Sequence, residues 1–325
     1  MENNYWIYKD YFIFKPYFNR PITEYLNIIS NCNKLIFSNY HDLEHTIKKI
    51  KNENYYECYN NNDYSKFNQY LDNSFEQLIN LTQITFGDSF NKPLDNSLDQ
   101  LINLTHLSFG FEFNTQLGNS LVHLTNLTCI TFCGAFNKPL TNSLDNLINL
   151  TKINLGYSFD KPLHNSLSQL TNLIFIDFGY SFNKPLSNSL NQLKNLKYLT
   201  FGSVFNQELN NTLYHLTKLE YLQIGYDFNQ ELSLPPNIKI LSLNCNNQNL
   251  IDSLPNSIEQ LNLCREFNLP LDNLPSSIKK ISFNKNSEYN WTLNNLPKSL
   301  EKLVLPPNYD LIIKNRPLNC NIIYL

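Results

Sequence analysis

The chain has 325 residues, a formal charge of -3 and an isoelectric point near 6.1. It can therefore bury a large core as one long domain or two ordinary ones, and it exerts no global pull on nucleic acid or anionic lipid. Only three of its 25 basic residues are arginines, Arg20, Arg265 and Arg316, so the guanidinium forks that read phosphates and base edges are nearly absent.

In chain order, the opening stretch "MENNYWIYKDYFIFKPYFNRP" lacks a basic start, an apolar run and a small-residue cleavage site. No secretory signal is expected there. No run of 18 apolar residues follows, so no membrane-spanning helix is expected, and a cytoplasmic location is the expectation (the host cell cytoplasm if the source is viral). The seven cysteines, Cys32, Cys58, Cys129, Cys133, Cys245, Cys264 and Cys320, are odd in number and scattered, which predicts free thiols. "PITEYLNIIS" (Pro21 to Ser30) and "HDLEHTIKKI" (His41 to Ile50) predict helices, and "KLIFS" (Lys34 to Ser38) a strand. Residues 1–66 read as an N-terminal cap or small irregular module, closing on a polar loop, "YNNNDYSK" (Tyr59 to Lys66).

A strict period then begins. Phe-Asn recurs at Phe67, Phe90, Phe113, Phe136, Phe182, Phe205 and Phe228, with Phe-Asp at Phe159, always 23 residues apart. A fixed spacing of this length is the signature of a stacked repeat. Within each unit a segment such as "LTHLSFG" (Leu104 to Gly110) alternates apolar and polar residues and predicts a short strand. The preceding "NSLDQLINL" predicts one or two turns of helix or 3-10 helix behind a polar cap. One unit cannot bury its apolar side alone, whereas stacked units can. Leu101, Leu104, Leu107 and Phe109 should point inward. Phe90, Phe113, Phe136, Phe159, Phe182 and Phe205 should form an aromatic spine. Asn91, Asn114, Asn137, Asn183 and Asn206 beside it should bond backbone groups that a turn leaves open.

From residue 233 to 305 the unit shortens. "LPPNIKILSL", "LPNSIEQLNL", "LPSSIKKISF" and "LPKSLEKLVL" begin at Leu234, Leu254, Leu274 and Leu296, so Leu-Pro replaces the helical turn. The regular repeats of 67–232 and these shorter ones together predict about eleven strands. Residues 306–325 are expected to fold over the last strand as a C-terminal cap.

"FNLPLDNLPSSIKKISF" (Phe267 to Phe283) and "FNKPL" at Phe90, Phe136 and Phe182 resemble leucine-rich repeats, and more narrowly FNIP repeats, named for a Phe-Asn-Ile-Pro core. The resemblance covers about Phe67 to Leu305. It implies an α/β leucine-rich-repeat solenoid with a parallel β-sheet on the concave face and short helical or 3-10 turns on the convex face. It also implies a source among social amoebae or the large viruses that infect them. Some members carry an N-terminal F-box, which implies the alternative of a ubiquitin-ligase substrate receptor; the first 66 residues hold no Leu-Pro-x-Glu opening of that kind.

Chemistry has few candidates. His41-Asp42-Leu43-Glu44-His45 matches the inverted zinc-peptidase pattern, with both histidines on one face of the predicted helix, but no third ligand is evident and a solvated helix face is the expectation. Cys129 falls on an outward strand position, Cys133 where other units have Gly, and His123 and His215 in an exposed column. There is no Gly-x-Gly-x-x-Gly, P-loop or Gly-x-Ser-x-Gly pattern and no paired carboxylates. No catalytic residue, metal or cofactor is expected, and the chain is read as not an enzyme.

The second, third and fifth strand positions should face outward. The third reads Gln83, His106, Cys129, Lys152, Phe175, Tyr198, Tyr221, Ile240, Gln260, Lys280, Lys302. Another column, just after the Gly, supplies Phe111, Tyr157, Tyr180 and Tyr226. Large apolar groups on consecutive strands point to a protein partner held through Phe175, Tyr198, Tyr221 and Ile240, with Tyr157, Tyr180 and Tyr226 flanking; the competing reading is ordinary cross-strand pairing. Neither nucleic acid nor membrane is expected as a partner.

Overall fold

A unit with one short strand must hide its leucines against the next copy. The computed structural model, which describes residues 3–51, 65–72, 74–209 and 212–325, shows how. The chain divides into two compact units, Met1–Leu173 and Ile174–Leu325.

In the first unit, β1 (Tyr5–Tyr8) and β2 (Tyr11–Phe14) form an antiparallel hairpin. A 3-10 turn at Ile22–Tyr25 runs into helix α1 (Leu26–Ile29). Strand β3 (Lys34–Phe37) then lies parallel on β2, and helix α2 covers Leu43–Lys51. Strands β4 (Gln83–Thr85), β5 (His106–Ser108), β6 (Cys129–Thr131) and β7 (Lys152–Asn154) continue the parallel ladder. Leu35, Ile84, Leu107, Ile130 and Ile153 are register partners in turn.

The second unit stacks β8 (Phe175–Asp177), β9 (Tyr198–Thr200), β10 (Tyr221–Ile224), β11 (Ile240–Leu243), β12 (Gln260–Leu263), β13 (Lys280–Phe283), β14 (Lys302–Leu305) and β15 (Asn321–Tyr324), all parallel. A one-turn helix, α3 (Gln248–Asp252), follows β11, and the Asn247 side chain caps it by accepting from the Leu250 amide at 3.2 Å.

The described residues thus hold fifteen strands rather than about eleven. The eleven of the repeats are β4 to β14, and β3 also lies where the sequence puts it. The hairpin went unread because its two-residue loop is Lys9-Asp10, with Lys9 at φ 54 where Asn-Gly is the usual signal. At the far end the chain covers the edge of β14. It makes another turn and adds β15 as a further rung, Lys302 pairing with Asn321 and Leu305 with Tyr324.

The segments opposite the strands are turns rather than helix. Ser97, Leu101 and Leu104 donate their amides to the carbonyls of Leu94, Leu98 and Leu101 at 2.8–2.9 Å. Leucines at 98, 101, 104 and 107 are three apart, and successive i to i+3 turns, unlike an α-helix with 3.6 residues per turn, keep all of them on one side. A left-handed residue opens the turns in six units: Asp72, Asp95, Gly118, His164 and Ser187 at one register position and Asn142 one place later, with φ between 42° and 58°.

The core is a double aromatic column. In the first unit Phe18, Phe67, Phe90, Phe113, Phe136 and Phe159 stack in line at 5.9–6.1 Å. Phe86, Phe109 and Phe132 from the strand ends wedge beside them at 3.9–4.1 Å. In the second unit Phe182, Phe205 and Phe228 repeat the stack at 6.0–6.3 Å. The column runs on through buried Cys245 and Phe267 to Tyr289 and Tyr309. Tyr289 occupies a phenylalanine slot, and its hydroxyl is buried with no hydrogen-bond partner. Burial, with Tyr309 and Asp272 nearby, raises its pKa above the ordinary tyrosine value. Tyr289→Phe is therefore expected to stabilise the fold by about 1 kcal/mol, because an orphaned buried hydroxyl is costly; urea unfolding followed by circular dichroism measures it.

Candidate functional site

Two asparagine ladders take up most of the amides that the sequence makes conspicuous. In the Phe-Asn column the side-chain carbonyl of each Asn accepts the backbone amide of its successor. Asn68 serves Asn91 at 3.0 Å, Asn91 serves Asn114 at 2.9 Å, Asn114 serves Asn137 at 2.9 Å and Asn137 serves Asp160 at 3.0 Å. Asn183, Asn206 and Asn229 continue the pattern in the second unit at 3.0–3.1 Å. The ladder starts earlier than the period indicates, since Asn19 accepts from the Asn68 amide at 3.0 Å. Phe18-Asn19-Arg20-Pro21 is a degenerate copy of the motif, hidden because it stands 49 residues before Phe67 instead of 23.

The second ladder explains the recurring Asn-Leu-Thr. Asn103, Asn126, Asn149 and Asn172 each donate Nδ2 to a carbonyl 24 residues back at 2.9 Å. Thr105, Thr128 and Thr151 donate their hydroxyls to a carbonyl 23 residues back at 2.9–3.0 Å. These tripeptides staple one rung to the next.

Asp88 belongs to a similar bridge. Its Oδ1 accepts from the Phe111 amide at 3.2 Å, while its own amide donates to Asn39. Burial raises the Asp88 pKa above the ordinary 3.8, with Glu112 adding to the effect. The native state then binds the proton more tightly than the unfolded chain, so stability falls as pH rises through the interval above 3.8. In Asp88→Asn, which keeps the accepting oxygen, that fall should disappear. Urea midpoints from pH 3.5 to 7 test it, and an unchanged pH profile would place the effect elsewhere.

The histidine pair of the zinc-like pattern is not arranged as expected. Helix α2 starts at Leu43, so His41 precedes it and does not share a helical face with His45. The Asp42 carboxylate accepts from the His45 amide at 2.8 Å and meets its Nδ1 at 2.7 Å, while the His41 ring packs on Tyr17 at 5.0 Å. His123 and His215 are exposed, and His123 lies 3.9 Å from Asp99. Among the described residues no three His, Cys, Asp or Glu side chains converge as metal ligands.

The cysteines correct two expectations. Cys32, Cys129, Cys245, Cys264 and Cys320 keep their thiols, but Cys133 is disulfide-bonded; Cys58 and residues 59–64 of the expected loop lie outside the described residues. Cys129, on an outward strand position, is buried nonetheless. So are the fifth-position residues Thr85, Ser108 and Thr131, because small side chains between close-set parallel strands are shielded by longer neighbours.

The sheet face of the second unit is different. Phe175, Tyr198, Tyr221 and Ile240 are register partners on consecutive strands β8 to β11. Tyr198 is 39% exposed and the others are half-buried. The Tyr198 and Tyr221 rings sit 6.2 Å apart, tilted by 43°, and the Tyr221 hydroxyl donates to Gln223 at 3.0 Å. Tyr180 and Tyr226, just beyond β8 and β10, are 43% and 50% exposed. Tyr157, in the first unit, is also exposed.

Along the second strand position of the same unit the charges alternate: Lys197, Glu220, Lys239, Glu259, Lys279, Glu301. Lys197 meets Glu220 at 3.7 Å and Lys279 meets Glu259 at 2.9 Å. A groove of about 670 Å³ runs along this column, with Thr217, Asn237, Asn256 and Ser277 in its wall.

A family model described as "FNIP Repeat" matches residues 228–265 and 246–286, the stretch where the Phe-Asn column continues through Cys245-Asn246 and Phe267-Asn268. Those residues match FNIP repeats, and the chain has the leucine-rich-repeat fold. Solved structures share this fold. "CroV588 a novel circular LRR protein" is 22% identical over 99% of this chain and 60% of its own, with a TM-score of 0.55. A complex of TLR13 with ssRNA13 is 18% identical over 87% and 44%, with a TM-score of 0.58. The Drosophila Toll–Spatzle complex is 15% identical over 94% and 42%, with a TM-score of 0.54. The chain thus spans about three fifths of the first of these and less than half of the other two. A search among curated protein sequences gave no match. No helix of the described residues is long and apolar enough to cross a membrane.

Proposed function

We propose that the chain is a non-enzymatic interaction scaffold that holds a protein partner on the sheet face of its second unit, the face that the family resemblance makes concave. The observation that carries this reading is the set of four large apolar side chains in register on β8 to β11, with Tyr198 still well exposed beside its neighbours. Aromatic side chains on a rigid strand surface bury much area on docking and give up little conformational freedom in doing so. Solved relatives of this fold include one in complex with Spatzle and one with ssRNA, so the fold is compatible with ligand capture.

The test replaces Phe175, Tyr198 and Tyr221 together by Ala. Their rings project from the sheet face, so circular dichroism should keep the native shape, while crosslinking through a photoreactive residue at Tyr226 should lose its partner band. A folded triple variant that retains the band would reject the assignment.

A further inference from the structure

The same sheet face changes character along its length. After Phe175, Tyr198, Tyr221 and Ile240, the third-position column passes through Gln260 to Lys280 and Lys302, which are register partners on β13 and β14. Lys302 is exposed and Lys280 half-buried. No acidic group of the described residues forms an ion pair with either. This sets them apart from Lys197 and Lys279 one position earlier, which already have Glu220 and Glu259. The fifth-position residues nearest the two lysines, Asn262, Ser282 and Val304, are uncharged, whereas the aromatic end carries Asp177 on β8. The face is therefore aromatic at one end, and at the other it carries two ammonium groups that form no ion pair among the described residues.

We propose that the partner enters as an extended acidic peptide segment that crosses the strands, its apolar side chains on Phe175, Tyr198 and Tyr221 and its carboxylates on Lys280 and Lys302. This rests on the reading of the face as a protein-docking surface and deepens it. Parallel strands are spaced about 4.8 Å apart, so Tyr221 on β10 and Lys280 on β13 are separated by roughly 14 Å along the sheet. An extended chain covers that distance in about four residues. The matching segment thus has two or three apolar residues, a spacer of about three, and then Asp or Glu. The two lysines set its direction, because reversing the segment would leave them over apolar groups.

The experiment is a selection of random dodecapeptides on the full chain, run in parallel on wild type, on Lys280→Glu/Lys302→Glu and on Phe175→Ala/Tyr198→Ala/Tyr221→Ala, with folding checked by circular dichroism. Wild type should enrich peptides carrying an apolar block and carboxylates at that spacing. The charge-reversed variant should select Lys or Arg at the same positions and bind the wild-type winners about tenfold more weakly. Apolar enrichment without any charge preference, abolished by the aromatic variant, would overturn the acidic-segment proposal and leave the docking surface standing. Selection indifferent to both variants would remove both. Tighter, lysine-dependent binding of a uridine dodecamer RNA would also overturn the proposal.

Discussion

Phe113→Ala is expected to destabilise the first unit by about 3–5 kcal/mol, the range for truncating a fully buried phenylalanine. Phe113 is 1% exposed. It touches Phe109 at 3.9 Å and stacks with Phe90 and Phe136 at 6.0 and 6.1 Å, so removing its ring interrupts one aromatic column and strips the other of a neighbour at the same level. Neighbouring rings cannot close the gap, because each is pinned by its own Asn bridge and strand register. Phe113→Leu refills part of the volume and should cost clearly less. Urea unfolding gives the free energies, and hydrogen exchange should show the loss centred on the rungs of β5 and β6. Equal stability of the Ala variant and wild type would contradict the aromatic spine.

The second large effect is expected at Gly225. A Cβ there would lie 1.7 Å from the Gly202 carbonyl oxygen and 2.4 Å from its carbon, and neither atom belongs to a flexible side chain. Gly225→Ala must push two stacked rungs apart, at about 3 kcal/mol or more, the upper end of what overpacking costs. Gly118 is the control. It needs glycine for conformation alone, at φ +52 with open space around the added carbon, so Gly118→Ala should lose only about 1 kcal/mol. A thermal scan of the two variants separates crowding from dihedral strain.

The repeat was legible because one unit is copied with little drift. A 23-residue recurrence of Phe-Asn fixes which residues stack, and Leu107, Ile130 and Ile153 are register partners as their spacing requires. What escaped reading is what breaks the period. Phe18-Asn19 is a full member of the aromatic column and of the Phe-Asn ladder, yet the long step to Phe67 hides it. Tyr289-Asn290 carries on the column with a phenolic ring in place of phenyl. Cys129 and Thr131 face outward by alternation but are covered by their neighbours, since strand parity reports direction and not how tall the adjacent side chains are. The aromatic group on β8 to β11 was visible as a column of residue types. The unpaired state of Lys280 and Lys302 was not, because it depends on which lysines meet a glutamate.

The alternation of Lys197, Glu220, Lys239, Glu259, Lys279 and Glu301 gives this stretch a parity. Deleting or duplicating a single rung would seat two ammonium groups or two carboxylates side by side, an arrangement that disfavours strand pairing. Adding or losing two at once restores the sign at every junction. An array that gains or loses rungs in pairs should therefore keep its strand pairing better than one changed by a single rung.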